Sequence, residues 1–323
     1  MSIRPSLIVC FSGYLLLSLV LSACTAAPAF QGAPVPSQGE NSASMPTPTS
    51  QPILPLNVAH RGARSLAPEN TLTAARKALE VGADMWETDV TLTADGKMVI
   101  LHDSTLGRTT NIEDVFPLRV ADPSYSFSLD ELRQLDFGSW FVDTDPFQQI
   151  ATGAVSQQEQ ASYAGEPAPT LRQALVFTKE NDWRINVEIK DQEGTPGDTD
   201  LPEKVVALID ELEMAPSVVV SSFNHSYLKR VKAADPQITT AALVDTPSPD
   251  PIRLLQELQA QAYNPKLAGL DMEQVRQVRQ AGFDVYVWTV NDERDVRRLI
   301  EAGATGIITD FPQRLATILA EYR

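Results

Sequence analysis

The chain is predicted to be an α/β protein, a TIM (β/α)8 barrel with a small insertion after the hairpin of its second strand. Three observations predict this. From residue 56 onward, short β-branched runs alternate with amphipathic, helix-like stretches, the pattern of a parallel sheet whose strands are joined by crossover helices. One pair of runs is joined by a turn too short for any crossover. One long polar stretch then interrupts the alternation.

The strand-like runs are, in order, LNVAH from residue 56, MWETDV from 85, MVILHD from 98, INVEIK from 185, SVVVSS from 217, TTAALV from 239, QAYN from 261, VYVWTV from 285 and TGIITD from 305. Helix-like segments between them include TLTAARKALEVGA, APTLRQALVFTKEN, LPEKVVALIDELEM and EQVRQVRQAG. Nine runs are one too many for an eight-stranded barrel. The excess lies between MWETDV and MVILHD, whose connection TLTADGK carries the Asp95-Gly96 signal of a type I′ hairpin. A parallel pair needs a dozen or more residues between its strands, so these two are antiparallel neighbours and MVILHD is a hairpin arm. Eight strands remain, which favours the closed barrel over an open doubly wound sheet. Residues 103–168, with SLDELRQLDFGSWF and a Gln-rich run, fit no strand-helix unit and read as the insertion. Loops of that length in compact domains are usually lids or binding surfaces.

The first fifty residues are expected to lie outside the fold. Arg4 precedes an uncharged apolar stretch that closes on small residues, the order of a secretory signal. Its ending, Leu21-Ser22-Ala23-Cys24, resembles the lipobox of bacterial lipoproteins. That resemblance implies a signal peptide over residues 1–23, diacylglycerol on Cys24, and anchorage to the outer face of the cell envelope. Residues 24–54 then form a Pro/Ser-rich tether reaching roughly 30 Å as a flexible coil, and residues 55–323 form the folded domain. The two cysteines are Cys10 and Cys24, so the domain has no disulfide, thiolate metal site or thiol nucleophile. The formal charge of -16 argues against a nucleic-acid partner and suits an anionic membrane surface poorly. No obligate protein partner is expected.

On a parallel barrel the strand C-termini face the active site. Here they carry His60 and Arg61, Glu87 and Asp89, Glu188 and Lys190, Ser221, Ser222 and Phe223, Trp288, and Asp310, while the hairpin arm ends in His102 and Asp103. Residues two apart on a strand share a face. Glu87 with Asp89, and Glu188 with Lys190, therefore point inward together. Three inward acids repel one another unless a cation lies between them. Hard oxygen donors without cysteine suit one divalent cation, Mg²⁺ or Ca²⁺. Histidine is the side chain most readily poised for proton transfer near neutral pH, which makes His60 and His102 candidate acid and base. Arg61 and Lys190 add the positive charge that a phosphodiester anion requires. Gly62 permits a tight turn beside the ligand. His225 follows Asn224 at an expected helix start and reads as structural.

In order along residues 56–316, AHRGARSLAPENTLTA, ETDVTLTADGKMVILHD, LGRTTN, LRQLDFGSWF, PTLRQAL, VEIK, SSFNHSYL, VWTVN and GIITDFP resemble the successive motifs of the glycerophosphodiester phosphodiesterase family. The resemblance implies catalytic histidines at His60 and His102, metal ligands at Glu87, Asp89 and Glu188, and phosphate contacts from Arg61 and Lys190. Glu69 and Asn70 match the family's acid-amide pair that braces the site, and both, with Phe223 and Trp288, are expected among the substrate-binding residues. The insertion after His102-Asp103 matches the family's small inserted subdomain, which shapes the substrate entrance. The activity implied is metal-dependent hydrolysis of glycerophosphodiesters to sn-glycerol 3-phosphate and an alcohol. The attacking group is water or the substrate's own 2-hydroxyl. Two other readings compete: a lysophospholipase D or sphingomyelinase D-like lipid phosphodiesterase, and a non-catalytic surface binding protein. A wide apolar entrance would favour the first of these, a small polar cavity the deacylated substrate.

Overall fold

A computed structural model describes residues 54–323. The expected signal peptide, the expected lipidation site Cys24 and all but the last residue of the expected tether lie outside the described residues. The strands are β1 Leu56–Ala59, β2 Met85–Leu92, β3 Met98–Ile100, β4 Ile185–Ile189, β5 Val218–Ser222, β6 Thr239–Val244, β7 Ala262–Pro265, β8 Asp284–Val287 and β9 Gly306–Thr309. They run β1-β9-β8-β7-β6-β5-β4-β2-β3, and β1 also pairs with β2, which closes eight parallel strands into a barrel. β3 lies outside the ring, antiparallel to β2. Expectation and structure agree on the fold and on the role of MVILHD.

The turn differs from the expected type. A I′ turn needs positive φ at both Asp95 and Gly96, but of the two only Gly96 (φ 71°) has it. Gly96 N–H donates to Thr93 O (2.9 Å) and Thr93 N–H to Lys97 O (3.0 Å), closing a three-residue loop with glycine in the left-handed position. The Asp95 carboxylate is taken up instead by Thr93 Oγ1 (2.6 Å) and by Leu129 N–H (3.0 Å), which ties the hairpin to the insertion.

Burial follows from strand composition. All eight residues of β2 are buried, as expected for a strand covered on both faces. Inside the ring, Val58, Met85, Val219, Ala241, Ala262, Tyr286 and Ile308 fill the barrel below its C-terminal rim. Outside it, helices such as Leu72–Glu80, Leu171–Glu180 and Leu201–Glu211 bury their apolar stripes against the sheet. The helices start where cap residues occur. Thr71, Thr170 and Asn224 each accept a backbone N–H of the first turn.

Between residues 103 and 168 the structure has short helices, Ile112–Val115, Leu129–Leu132, Ser139–Thr144 and Gln157–Tyr163, and no strand. Leu106, Ile112, Phe127, Leu132 and Phe137 form a separate small core against Val99 and Leu101 of the hairpin arm. Among the described residues, no helix is long and apolar enough to cross a membrane.

Candidate active site

β2 and β4 lie side by side in parallel register, with Glu87 opposite Asn186 and Asp89 opposite Glu188. Residues two apart share a face, so Glu87, Asp89, Asn186 and Glu188 all project to one side of the sheet. Each of the three acids offers a carboxylate oxygen, and these oxygens lie within 4.8 Å of one another. Three crowded, buried, hard oxygen donors with no sulfur or imidazole among them fit a Mg²⁺- or Ca²⁺-type ion. Their electrostatics make the same point. Burial, and then the charges of Asp89 and Glu188, push the Glu87 carboxyl well above the ordinary carboxylate range. Burial and Asp89 likewise raise Glu188. Burial would raise Asp89 too, but the cations Lys190 and Arg61 outweigh it and hold that carboxyl low.

The two histidines stand beside this cluster. His60, at the end of β1, places Nε2 4.0 Å from Glu87 Oε2 while Nδ1 is 2.7 Å from Asp310 Oδ1. Asp310 follows β9, the neighbour of β1, and Asn291 donates to its other oxygen at 2.8 Å. Burial depresses the His60 pKa, the Asp310 hydrogen bond opposes this, and the charges of Arg61 and Arg64 add to the depression. His102 repeats the arrangement with Nδ1 2.6 Å from Asp103 Oδ1. In both histidines the carboxylate takes Nδ1 and leaves Nε2 available to a ligand.

Lys190 Nζ donates to Glu188 Oε1 at 2.7 Å and lies 3.3 Å from Asp89 Oδ1. Arg61 takes a left-handed φ of 55°, and Gly62 follows at φ 80°. A side chain at Gly62 would meet Ala74 at 2.7 Å, so the turn requires glycine by conformation and by space. The turn directs the Arg61 N–H to Glu87 Oε2 (2.9 Å) and its guanidinium to Glu69 Oε1 (2.7 Å).

His60, Arg61, Glu87, His102, Glu188, Lys190, Phe223 and Trp288 share the wall of one cavity of about 270 Å³ at the barrel mouth. Phe223 and Trp288 meet edge to face there, with ring centroids 5.4 Å apart. Glu69 and Asn70, the expected bracing pair, do not line this cavity, and both are buried. Glu69 is consumed by three arginines, receiving Arg61 and Arg64 at 2.7 Å each and Arg108 at 2.6 and 3.0 Å. Asn70 donates to Asp89 Oδ2 at 2.9 Å and accepts from Thr88 Oγ1 at 2.8 Å. With both oxygens on guanidinium groups, Glu69 braces the site, as expected of the acid of this pair. These residues position the charged groups that do face the cavity. His225 lies apart, with Nε2 2.9 Å from Leu243 O, in the structural role expected of it.

Burial would raise the Glu69 pKa, but the Arg108 hydrogen bonds and the charges of Arg64 and Arg61 hold it at about 2. A carboxyl depressed on folding stabilises the native state above its ordinary value near 4.5 and loses that contribution as pH falls towards 2. Glu69→Gln should therefore cost about 3 kcal/mol at pH 7 by leaving buried guanidinium charge unpaired. Melting temperature then falls by roughly 6–12 °C, and the stability-pH curve below about pH 4.5 becomes shallower than in the wild type. A thermal melt series from pH 2 to 7 checks both.

Several contributors carried no separate signal in the sequence. Asp310 ended a strand, but its bond to His60 spans 250 residues. Arg108, which bridges Glu69 to Asp103 (Nε to Oδ2, 2.6 Å), comes from the insertion. Asn186 is a single amide in an apolar run, and only its register with Glu87 reveals where it points.

Comparison with known proteins agrees with this geometry. Residues 60–314 match the glycerophosphoryl diester phosphodiesterase family. A glycerophosphodiester phosphodiesterase of Caldanaerobacter subterraneus subsp. tengcongensis is 33% identical over 264 residues, 82% of this chain and 97% of that protein. Among solved structures, an Oleispira antarctica phosphodiesterase in complex with the product sn-glycerol-3-phosphate is 30% identical, with a TM-score of 0.66, covering 83% of this chain and 97% of that one. A glycerophosphodiester phosphodiesterase from Agrobacterium tumefaciens is 26% identical with a TM-score of 0.61, covering 80% and 98%. A closed eight-stranded barrel, an acidic trio flanked by histidines at its mouth, and similarity along nearly the whole described domain lead to one assignment: the chain belongs to the glycerophosphoryl diester phosphodiesterase family and is a hydrolase.

Proposed function

We propose that the chain hydrolyses sn-glycero-3-phosphodiesters to sn-glycerol 3-phosphate and an alcohol, using one divalent cation and a pair of histidines. The observation that carries this reading is the placement of both histidines beside the Glu87–Asp89–Glu188 trio, each with Nδ1 on a carboxylate. A Mg²⁺ or Ca²⁺ ion bound by the three acids supplies Lewis-acid stabilisation of the charge that builds on the phosphoryl oxygens. Lys190 and Arg61, on the same cavity wall, add fixed positive charge near that anion. A His60 imidazole kept neutral by burial suits proton acceptance at Nε2 from the attacking hydroxyl. His102, at the more open side of the site, then protonates the departing alkoxide.

The size of the cavity favours deacylated substrates. About 270 Å³ accommodates a small phosphodiester. Phe223 and Leu118 are the exposed large apolar side chains among the described residues, too few for an acyl-chain channel. Choline release from glycerophosphocholine, measured with and without a chelator, tests the proposal. Turnover should vanish with the chelator and return with excess Mg²⁺ or Ca²⁺. Undiminished turnover in the chelator rules out the cation, while no turnover under any condition supports the binding-protein reading.

For residues 1–54 the sequence supports export and lipid anchorage through Cys24. Cys24→Ser should then shift the protein from the membrane to the soluble fraction of a bacterial host, with specific activity unchanged. Equal membrane association of variant and wild type would exclude the anchor.

A further inference from the structure

The cavity has two chemically different ends. At the rim stand Phe223, 39% exposed, and the half-buried Trp288. At its floor stand Asn186 and Ser221, 1% and 0% exposed, beside the apolar Ile308. The floor residues are neighbours of the acidic trio through the sheet, since Asn186 is opposite Glu87 and Ser221 is opposite Glu188. Both are buried polar side chains on strands whose remaining residues, Glu188 and Ser222 aside, are apolar. Among the described residues, neither Asn186 Oδ1 nor Ser221 Oγ has a hydrogen-bond partner. Leaving a buried polar group unmatched is costly, and native interiors rarely do so without a reason. Two such groups side by side in the wall of a ligand cavity indicate that the partner arrives with the ligand.

We propose that Asn186 and Ser221 form a hydroxyl-binding floor that receives the polyol arm of the substrate, so that the departing alcohol sits at the aromatic rim. This rests on the phosphodiesterase reading and adds an orientation to it. The phosphoryl group is fixed at the histidines and the acidic trio, at the height of the strand ends. The arm directed inward then meets an amide oxygen and a serine hydroxyl, which match alcohol groups and would be left unpaired by an alkyl chain. The arm directed outward meets Phe223 and Trp288 next to solvent, a surface that makes few demands on the group it touches. The floor therefore sets selectivity for glycerol, and the rim tolerates varied alcohols.

Calorimetric binding of sn-glycerol 3-phosphate and of propyl phosphate, which lacks both hydroxyls, to the full chain in saturating Ca²⁺ tests the assignment. Wild type should bind glycerol 3-phosphate the more tightly. Ser221→Ala and Asn186→Leu should each weaken glycerol 3-phosphate at least about fivefold and change propyl phosphate less than about twofold. Parallel losses for both ligands would mean that these residues only shape the barrel, and unchanged glycerol 3-phosphate affinity would mean that they do not touch it. Either result overturns the floor. Propyl phosphate serves as the control for folding, because a misfolded variant loses both ligands. Failure of the underlying reading looks different: wild type would then bind neither phosphate and leave glycerophosphocholine intact.

Discussion

Replacing His102 with alanine is expected to lower turnover of glycerophosphocholine at least about 100-fold while the melting temperature stays within about 2 °C of wild type. The expectation of lost rate follows from position: the imidazole lines the cavity, with Nδ1 held 2.6 Å from Asp103 and Nε2 left for the substrate. The expectation of retained stability follows from exposure. The side chain is about a third exposed, and Asp103 keeps its partner Arg108 at 2.6 Å when the histidine is removed. His60→Ala should match the loss of rate but also lose stability, because Asp310 would be left in a largely buried place without the imidazole it holds at 2.7 Å. Steady-state kinetics beside thermal melts separate the two variants. Near-normal turnover in His102→Ala would remove that residue from the chemistry.

The second large effect is expected at Glu188, and its sign depends on the cation. At 100 times its dissociation constant, a bound ion stabilises the native state by about 2.7 kcal/mol, which raises the wild-type melting temperature by roughly 5–10 °C. Glu188→Gln should abolish most of this rise and reduce turnover at least about 100-fold, since a ligand charge is lost. Without the cation the order changes. Burial and the charge of Asp89 raise the Glu188 pKa, so its ionised form is disfavoured in the folded protein. A neutral glutamine removes that repulsion, and the cation-depleted variant should melt no lower than wild type. Melts with a chelator and with excess Ca²⁺ measure both arms. An equal calcium-induced rise in variant and wild type would exclude Glu188 as a ligand.

The barrel was legible because most of its strands are short β-branched runs and most of its helices carry an apolar stripe. The hairpin was legible because seven residues cannot cross over a sheet. The turn type was misread because its geometry depends on the Asp95 side chain, which is engaged by Thr93 and by a distant backbone group at Leu129. At the site, Glu87, Asp89 and Glu188 could be read from a period of two, since alternation alone decides which way a strand residue points. Glu69 could not be placed that way. It lies on a loop, and whether it faces substrate or arginine is settled by Arg64 on the same loop and by Arg108, which arrives from the insertion. Asp310 is the same kind of case: its residue type was visible, but its partner was not.

The ring closes where the first strand meets the last, with Val58 beside Ile308 and Ala59 beside Thr309. His60 and Asp310 sit just past that seam, bonded across it. During synthesis, therefore, a growing polypeptide can hold every other part of the reactive centre and still lack an oriented His60 until the ninth strand emerges and docks. On the proposed role of His60, catalytic competence waits for the ninth strand, and a product cut short before Thr309 should be inert however much of the barrel it retains.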